Sequence, residues 1–273
     1  MNKPITVIEP ASNKAHYKLS ELWEYRELIW LMLVRDIKVR YKQTVLGVAW
    51  AVIQPLMMML IFSFIFGRLA DIPSNGLPYP VFVFSALLAW NFLSSAIGAG
   101  GASLLSASSM ISKVYFPRLV IPLASIGVSA VDFIVSFFLL LIIMVVCSIG
   151  LTWQIVCFPL FVVGLILLAF GISTWLAAVT VVYRDFRFVI PFMLQIWMYI
   201  TPVIYPVSFI PEAWRWLIYL NPAAGWVSGI RAAMLGAGID WLALVSSSVF
   251  TLLILVFGLR YFKRVEHRFA DVI

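Results

Sequence analysis

The sequence predicts an all-α polytopic membrane protein. Six transmembrane helices follow an N-terminal amphipathic interface helix, external re-entrant helices sit between spans five and six, and both termini are cytoplasmic. Three observations carry this reading. The chain of 273 residues is 63% hydrophobic and only 11% charged, against about 25% charged in a soluble domain. Its apolar residues gather into six runs, at 48–69, 80–101, 119–149, 153–182, 189–207 and 243–262. Each is near or above the roughly 20 residues that cross a hydrocarbon core. Its cations fall almost entirely on one side of those runs.

Lysine and arginine set the orientation. Eight precede the first span: Lys3, Lys14, Lys18, Arg26, Arg35, Lys38, Arg40 and Lys42. Lys113 and Arg118 lie between spans two and three, Arg184 and Arg187 between four and five, and Arg260, Lys263, Arg264 and Arg268 close the chain. The opposite side has only Arg68, Arg215 and Arg231. The positive-inside rule then makes both termini cytoplasmic. A seventh span through 212–237 would expel the basic tail and bring Arg215 and Arg231 to the lipid, so it is rejected. The net charge of +7 reads as topology and contact with anionic lipid heads, not nucleic-acid binding.

The elements follow in order. Residues 1–19 read as a flexible polar lead, without the apolar core of a signal peptide. Residues 20–45 hold the interface helix and a basic motif. Ser20 is a candidate cap for a helix running to about Val39. Leu22, Ile29, Leu33 and Ile37 share one face beside Trp23 and Trp30, with Glu21, Glu24 and Glu27 opposite. That pattern suits a helix lying in the membrane interface. Leu31 and Met32 fall outside the stripe. The transmembrane region covers 46–262 and a cytoplasmic tail covers 263–273. Spans three and four are long enough to tilt or project. The small residues of 98–103 allow close helix approach. The segment 106–118 reads as a short cytoplasmic helix stopped by Pro117. Span five is broken by Pro191, Pro202 and Pro206. Residues 201–206 cannot form a regular lipid-facing helix, because freed carbonyls there need partners from protein or a wet cavity. Beyond them, 208–240 is external and carries Trp214, Trp216, Tyr219 and Trp226. Asn221-Pro222 divides it into two short helices dipping into the outer leaflet.

Several chemistries are excluded. No phosphate-binding loop of the Gly-x-x-x-x-Gly-Lys-Ser/Thr type occurs, so nucleotide is not hydrolysed here through that motif. No His, Cys and carboxylate group stands at metal-ligand spacing, and Cys147 and Cys157 read as small apolar residues. Asp132 is the one acid well inside a span. It has two readings: a protonated group bonded to Ser125, Ser129 or Ser136, or a proton-coupling site. The basic run holding Arg35, Lys38, Arg40 and Lys42 also has two readings. It is a positive-inside anchor on lipid phosphates, or a dock for a phosphorylated head group, since arginine forks phosphate oxygens bidentately. The aromatics serve as core, lipid-facing and belt residues, or some line a pathway for sugars. Trp50, Trp90, Phe92, Trp197 and Tyr199 are the candidates, because aromatic faces offer broad apolar platforms.

These pieces together resemble the permease of ABC type-2 exporters of O-antigen, capsular polysaccharide and teichoic acid. The resemblance rests on RDIKVRYKQTVLGVAW at 35–50, Gln54-Pro55, AWNF at 89–92, KVYFPR at 113–118, YRDF at 183–186, and YLNP at 219–222 with Arg231 after it. Ala89 stands where such proteins often carry proline. The resemblance implies a permease subunit in the bacterial plasma (inner) membrane, paired with a second copy of itself and with two cytoplasmic ATPase subunits. ATP and magnesium would sit on those partners, with no cofactor on this chain. It implies loading of a polyprenyl-diphosphate-linked glycan near Arg35, Lys38, Arg40, Lys42, Leu46 and Gly47, and export between the two copies. The 106–118 segment, with Lys113, Tyr115, Phe116, Pro117 and Arg118, would transmit ATPase closure together with the interface helix. An ABC exporter of drugs or simple lipids is the alternative. A proton-driven transporter acting through Asp132 is another. A membrane glycosyl or acyl transferase would need an acid or histidine cluster that the sequence lacks.

Overall fold

The computed structural model describes residues 19–42, 49–111, 113–267 and 269. The 1–18 lead, Leu46 and Gly47 lie outside the described residues, and all regular structure among the described residues is helical. Two helices, α1 (Leu19–Glu24) and α2 (Arg26–Lys42), meet at Tyr25. The interface helix therefore reaches Lys42, three residues past its expected end, and carries the whole basic run from Arg35 to Lys42.

Five helical segments are long and apolar enough to cross a membrane: Ala49–Leu69, Tyr79–Ser106, Val120–Val146, Trp153–Val182 and Trp241–Glu266. The first is α3 (Ala49–Phe62), which widens into a π-helical stretch over Ser63–Leu69. The second is α4 (Tyr79–Ser106), entered through Pro80 in its first turn, where a missing N–H costs nothing. After a single turn, α5 (Ser108–Ile111), comes α6 (Val120–Val146). The fourth segment opens with a short 3₁₀ turn and continues as α7 (Phe158–Val182). The last is α11 (Trp241–Glu266), whose cap Asp240 accepts the Ala243 N–H at 3.1 Å. The short helix expected to stop at Pro117 stops at Ile111 instead, and 114–117 has no regular structure.

The fifth run of the sequence does not make a long helix. It forms α8 (Phe186–Ile200), 15 residues, which at 1.5 Å per residue is about 22 Å. That is shorter than the roughly 30 Å hydrocarbon core. Pro191 sits inside α8, and the helix ends at the residue before Thr201-Pro202, as the bias against α geometry ahead of proline requires. Two further helices follow, α9 (Arg215–Tyr219) and α10 (Ala224–Leu235).

The centre of the bundle is α4, almost wholly buried between α6 and α7. Helix α11 lies along α7, α3 and α8 flank α4, and α2 lies against α6. Helix α10 is the second of the short helices expected in 208–240, and it packs against protein. All but one of its residues are buried, against α4, α7 and α11. Its small residues explain why. The Gly225 Cα faces the Ala243 carbonyl and Gly229 lies under the Phe161 ring, so neighbours close in where side chains are missing. Trp226, expected in an external aromatic segment, is a core residue whose indole N–H donates to Thr251 Oγ1 at 2.9 Å. Trp214 and Trp216 do face outward.

Candidate functional site

On a helical period Leu33, Ile37, Arg40 and Tyr41 of α2 share one face, and Arg35, Lys38 and Lys42 share another. The structure uses the first face to dock α2 on α6. The Leu33 side chain fills the space left by Gly127, and Met32 is buried in a cluster with Leu104, Phe116, Phe262 and Phe269. One and a half turns along α6, the Arg40 guanidinium pairs with Asp132 Oδ2 at 2.8 Å. The Tyr41 hydroxyl donates to the other carboxylate oxygen of Asp132. Burial, and then the bond to Asp132, push the Tyr41 phenol up to about 12, so it stays protonated and remains a donor.

This arrangement corrects the expected environment of Asp132. Its partners are not the neighbouring serines. Ser125 bonds back to the Ile121 carbonyl at 3.1 Å and Ser129 pairs with Ser95 at 2.9 Å. A carboxylate within an apolar span is costly unless paired, and here the cation comes from another element. The basic run is thereby divided. Arg40 is engaged with α6, while Arg35, Lys38 and Lys42 point outward and are exposed. Arg35 also contacts its neighbour Asp36 at 2.8 Å, in an exposed pair of small energetic weight.

The 106–118 segment is also divided. Lys113 is exposed and Tyr115 is 96% exposed, which leaves both for an external contact. Phe116 is buried in the cluster that holds Met32 of α2. Pro117 accepts the Val120 N–H at 3.1 Å and so starts α6. Arg118 donates to the Glu266 carbonyl at the end of α11 and stacks over Phe269 at 5.8 Å. Phe116 and Arg118 therefore tie this segment to α2 and α11, and a cavity of about 230 Å³ opens beside it, lined by Ile111, Lys113, Val114, Tyr115, Phe116 and Arg118.

The five candidate pathway aromatics do not form one surface. Trp50 and Tyr199 are half exposed, but Trp90 and Phe92 are buried at 3% and 4% exposure. Trp90 meets Trp197 edge-on at 5.6 Å and Phe92 meets Phe133 at 5.4 Å. Both are core residues of α4, because α4 is enclosed on most sides, and they do not line an open surface of this chain. Trp197 is half-buried, with its indole N–H on Asn221 Oδ1 at 2.8 Å.

That last bond belongs to a polar network that the sequence only hinted at. Where α8 stops, the chain needs partners for its carbonyls, and the protein supplies them. Arg231 of α10 donates to the Pro202 and Val203 carbonyls at 2.8 and 2.7 Å. Tyr79 donates to the Ile204 carbonyl at 2.7 Å. The Asn221 amide donates to Thr201 Oγ1 at 3.0 Å. The Arg231 guanidinium lies 3.9 Å from the centre of the Phe82 ring, where the face of the ring attracts a desolvated cation. Arg231 is only 6% exposed. It is thus a structural cation inside protein, not a charge on the external surface.

A bundle of long apolar helices with its basic segments gathered at one end is the architecture of a multi-pass membrane permease. The chain belongs to the ABC-2 type transporter family, whose model matches residues 27–235. It is similar to two proteins described as O-antigen export system permease protein RfbA. The one from Klebsiella pneumoniae is 29% identical over 269 residues, covering 96% of this chain and all of the relative. The one from Myxococcus xanthus is 29% identical over 78% of this chain and 82% of the relative. A polysialic acid transport protein, KpsM of Escherichia coli, is 26% identical over 86% of this chain and 92% of its own length.

Proposed function

We propose that this chain is the permease of an ABC exporter that carries a polyprenyl-diphosphate-linked polysaccharide, O-antigen-like, across the bacterial plasma membrane. The observation that carries the reading is the outward face of Arg35, Lys38 and Lys42 at the basic end of the bundle. It occurs in a chain that aligns with O-antigen export permeases over nearly its whole length. Three cations on one face suit an anionic head group at a membrane surface. Both termini lie on the cytoplasmic side by the charge rule. The sixth crossing is α8 extended by 201–206, where Arg231 and Tyr79 satisfy the backbone. Two copies of the chain form the conduit, and two ATPase subunits bind the cytoplasmic face and hold the ATP and magnesium.

Deletion of the gene should remove the surface glycan and leave lipid-linked polymer inside; unchanged surface glycan would sink the reading. The outward cations give a finer test. The triple variant R35Q/K38Q/K42Q should raise the cargo concentration that half-saturates ATPase stimulation by about tenfold or more, since each lost surface cation weakens anion binding by roughly 1 kcal/mol. Its assembly and melting temperature should match wild type, because none of the three packs in the core. Wild-type stimulation in the variant would return the run to anchoring alone.

Lys113 and Tyr115 are the residues that face the ATPase. K113E/Y115A should cut transport-coupled ATPase activity about tenfold, a loss near 1.4 kcal/mol of coupling, with the permease still inserted. Full coupling in that variant, read from proteoliposomes, would move the contact elsewhere.

A further inference from the structure

In this structure the guanidinium of Arg40 meets a carboxylate of the chain itself. Arg40 lies on the face of α2 that meets α6, with its side chain 45% exposed, and Asp132 on α6 is 24% exposed. The pair is therefore reachable from outside rather than sealed in the core. We infer that Asp132 is an internal anion that occupies Arg40 until the cargo's diphosphate replaces it, so that loading leaves the last turn of α2 tied to α6 by Tyr41 alone. The inference rests on the proposed loading site and adds the mechanism by which that site reports occupancy.

Three features make the exchange feasible. A guanidinium carries five N–H donors in a planar fork that matches phosphate oxygens, and a diphosphate carries more negative charge than one carboxylate. Arg40 is itself exposed, so an anion at the basic end of α2 reaches its guanidinium without entering the core. Finally, Asp132 is not stranded when Arg40 leaves. The Tyr41 hydroxyl already donates to its second oxygen, and that phenol stays protonated throughout the physiological range. The remaining docking of α2 on α6 is apolar, through Leu33 over Gly127. Loss of the ion pair then leaves the C-terminal end of α2, the end nearest the first span, held by the Tyr41 hydroxyl alone.

The test uses the assembled permease–ATPase complex in nanodiscs of neutral lipid, titrated with undecaprenyl diphosphate and read by ATPase stimulation and by native mass spectrometry. Asp132→Asn keeps an oxygen for Arg40 and an amide for Tyr41 but removes the competing charge. It should lower the half-saturating concentration about fivefold, the worth of one partly exposed ion pair. Arg40→Gln should raise it, and adding Asp132→Asn to Arg40→Gln should then bring no gain. Tyr41→Phe should shift the midpoint upward, opposite to Asp132→Asn, because the carboxylate then leans harder on Arg40. A general loss of fold would move both variants in the same direction. If K38Q/K42Q weakens binding while Asp132→Asn leaves it unchanged, the exchange is wrong and the loading site stands. If K38Q/K42Q and Arg40→Gln both bind as wild type, the loading site and the exchange fail together. Equal stimulation by phosphatidylglycerol in place of the probe would assign the anion to a lipid head group and overturn the cargo exchange.

Discussion

Replacing Arg231 with methionine should prevent the permease from accumulating folded in the membrane. Methionine keeps much of the volume and the apolar stem but offers nothing to the Pro202 and Val203 carbonyls, which now receive the guanidinium at 2.8 and 2.7 Å. Both acceptors sit in a buried stretch where water does not substitute. Leaving each unsatisfied costs about 1–3 kcal/mol, and the contact with the Phe82 ring is lost as well. A total near 3–5 kcal/mol is comparable to breaking a buried charge interaction and is a large share of the marginal stability of a folded chain. The check is fluorescence-detected size exclusion after heating in detergent. Arg231→Met should show little monodisperse protein, and Arg231→Lys should fall between, since an ammonium keeps the cation over the ring but lacks the fork. Wild-type melting of Arg231→Met would mean that the broken span is held by Tyr79 and Asn221 without it.

The same site shows what sequence reading reaches and where it stops. That 201–206 breaks a helix, and that its carbonyls need partners, follows from three prolines in an apolar run. Which residue supplies them does not follow. Arg231 is 29 residues from Pro202, and no periodicity connects them. Orientation by charge placed Arg231 on the external side, and a rule that counts cations cannot distinguish one on a surface from one enclosed by protein. Asp132 repeats the lesson. A lone acid in a span announces that a partner exists, but Tyr41 is 91 residues away, and the helical serines nearby were the partners that local spacing favoured. The long helices were legible because apolar runs and prolines are local signals. The packing of helix α10 was not legible because its alanines and glycines carry no amphipathic stripe. Small residues record close packing only once the neighbours are known.

The crossing of α7 and α11 should tolerate little. Gly171 and Gly258 face each other there. A Cβ on Gly258 would land on the Gly171 carbonyl, and a Cβ on Gly171 would stand 2.9 Å from the Leu255 backbone. Backbone blocks backbone, so no rotamer can turn aside to make room. Overpacking usually costs 1–3 kcal/mol where side chains can yield, so Gly258→Leu should cost about 3 kcal/mol or more. Gly150 is the control, since nothing lies within 4 Å of a Cβ there, and Gly150→Leu should melt as wild type. The consequence reaches beyond stability. Helix α11 ends at Glu266, whose carbonyl accepts the Arg118 guanidinium, and Arg118 ends the segment that presents Lys113 and Tyr115. Pushing α11 away from α7 should therefore loosen that segment from the bundle. The smaller Gly258→Ala change, which leaves more folded protein, should lower the coupling of ATPase activity to transport even in the fraction that survives purification. Full coupling in that fraction would mean that α11 does not position the 106–118 segment, and that Phe116 holds it alone.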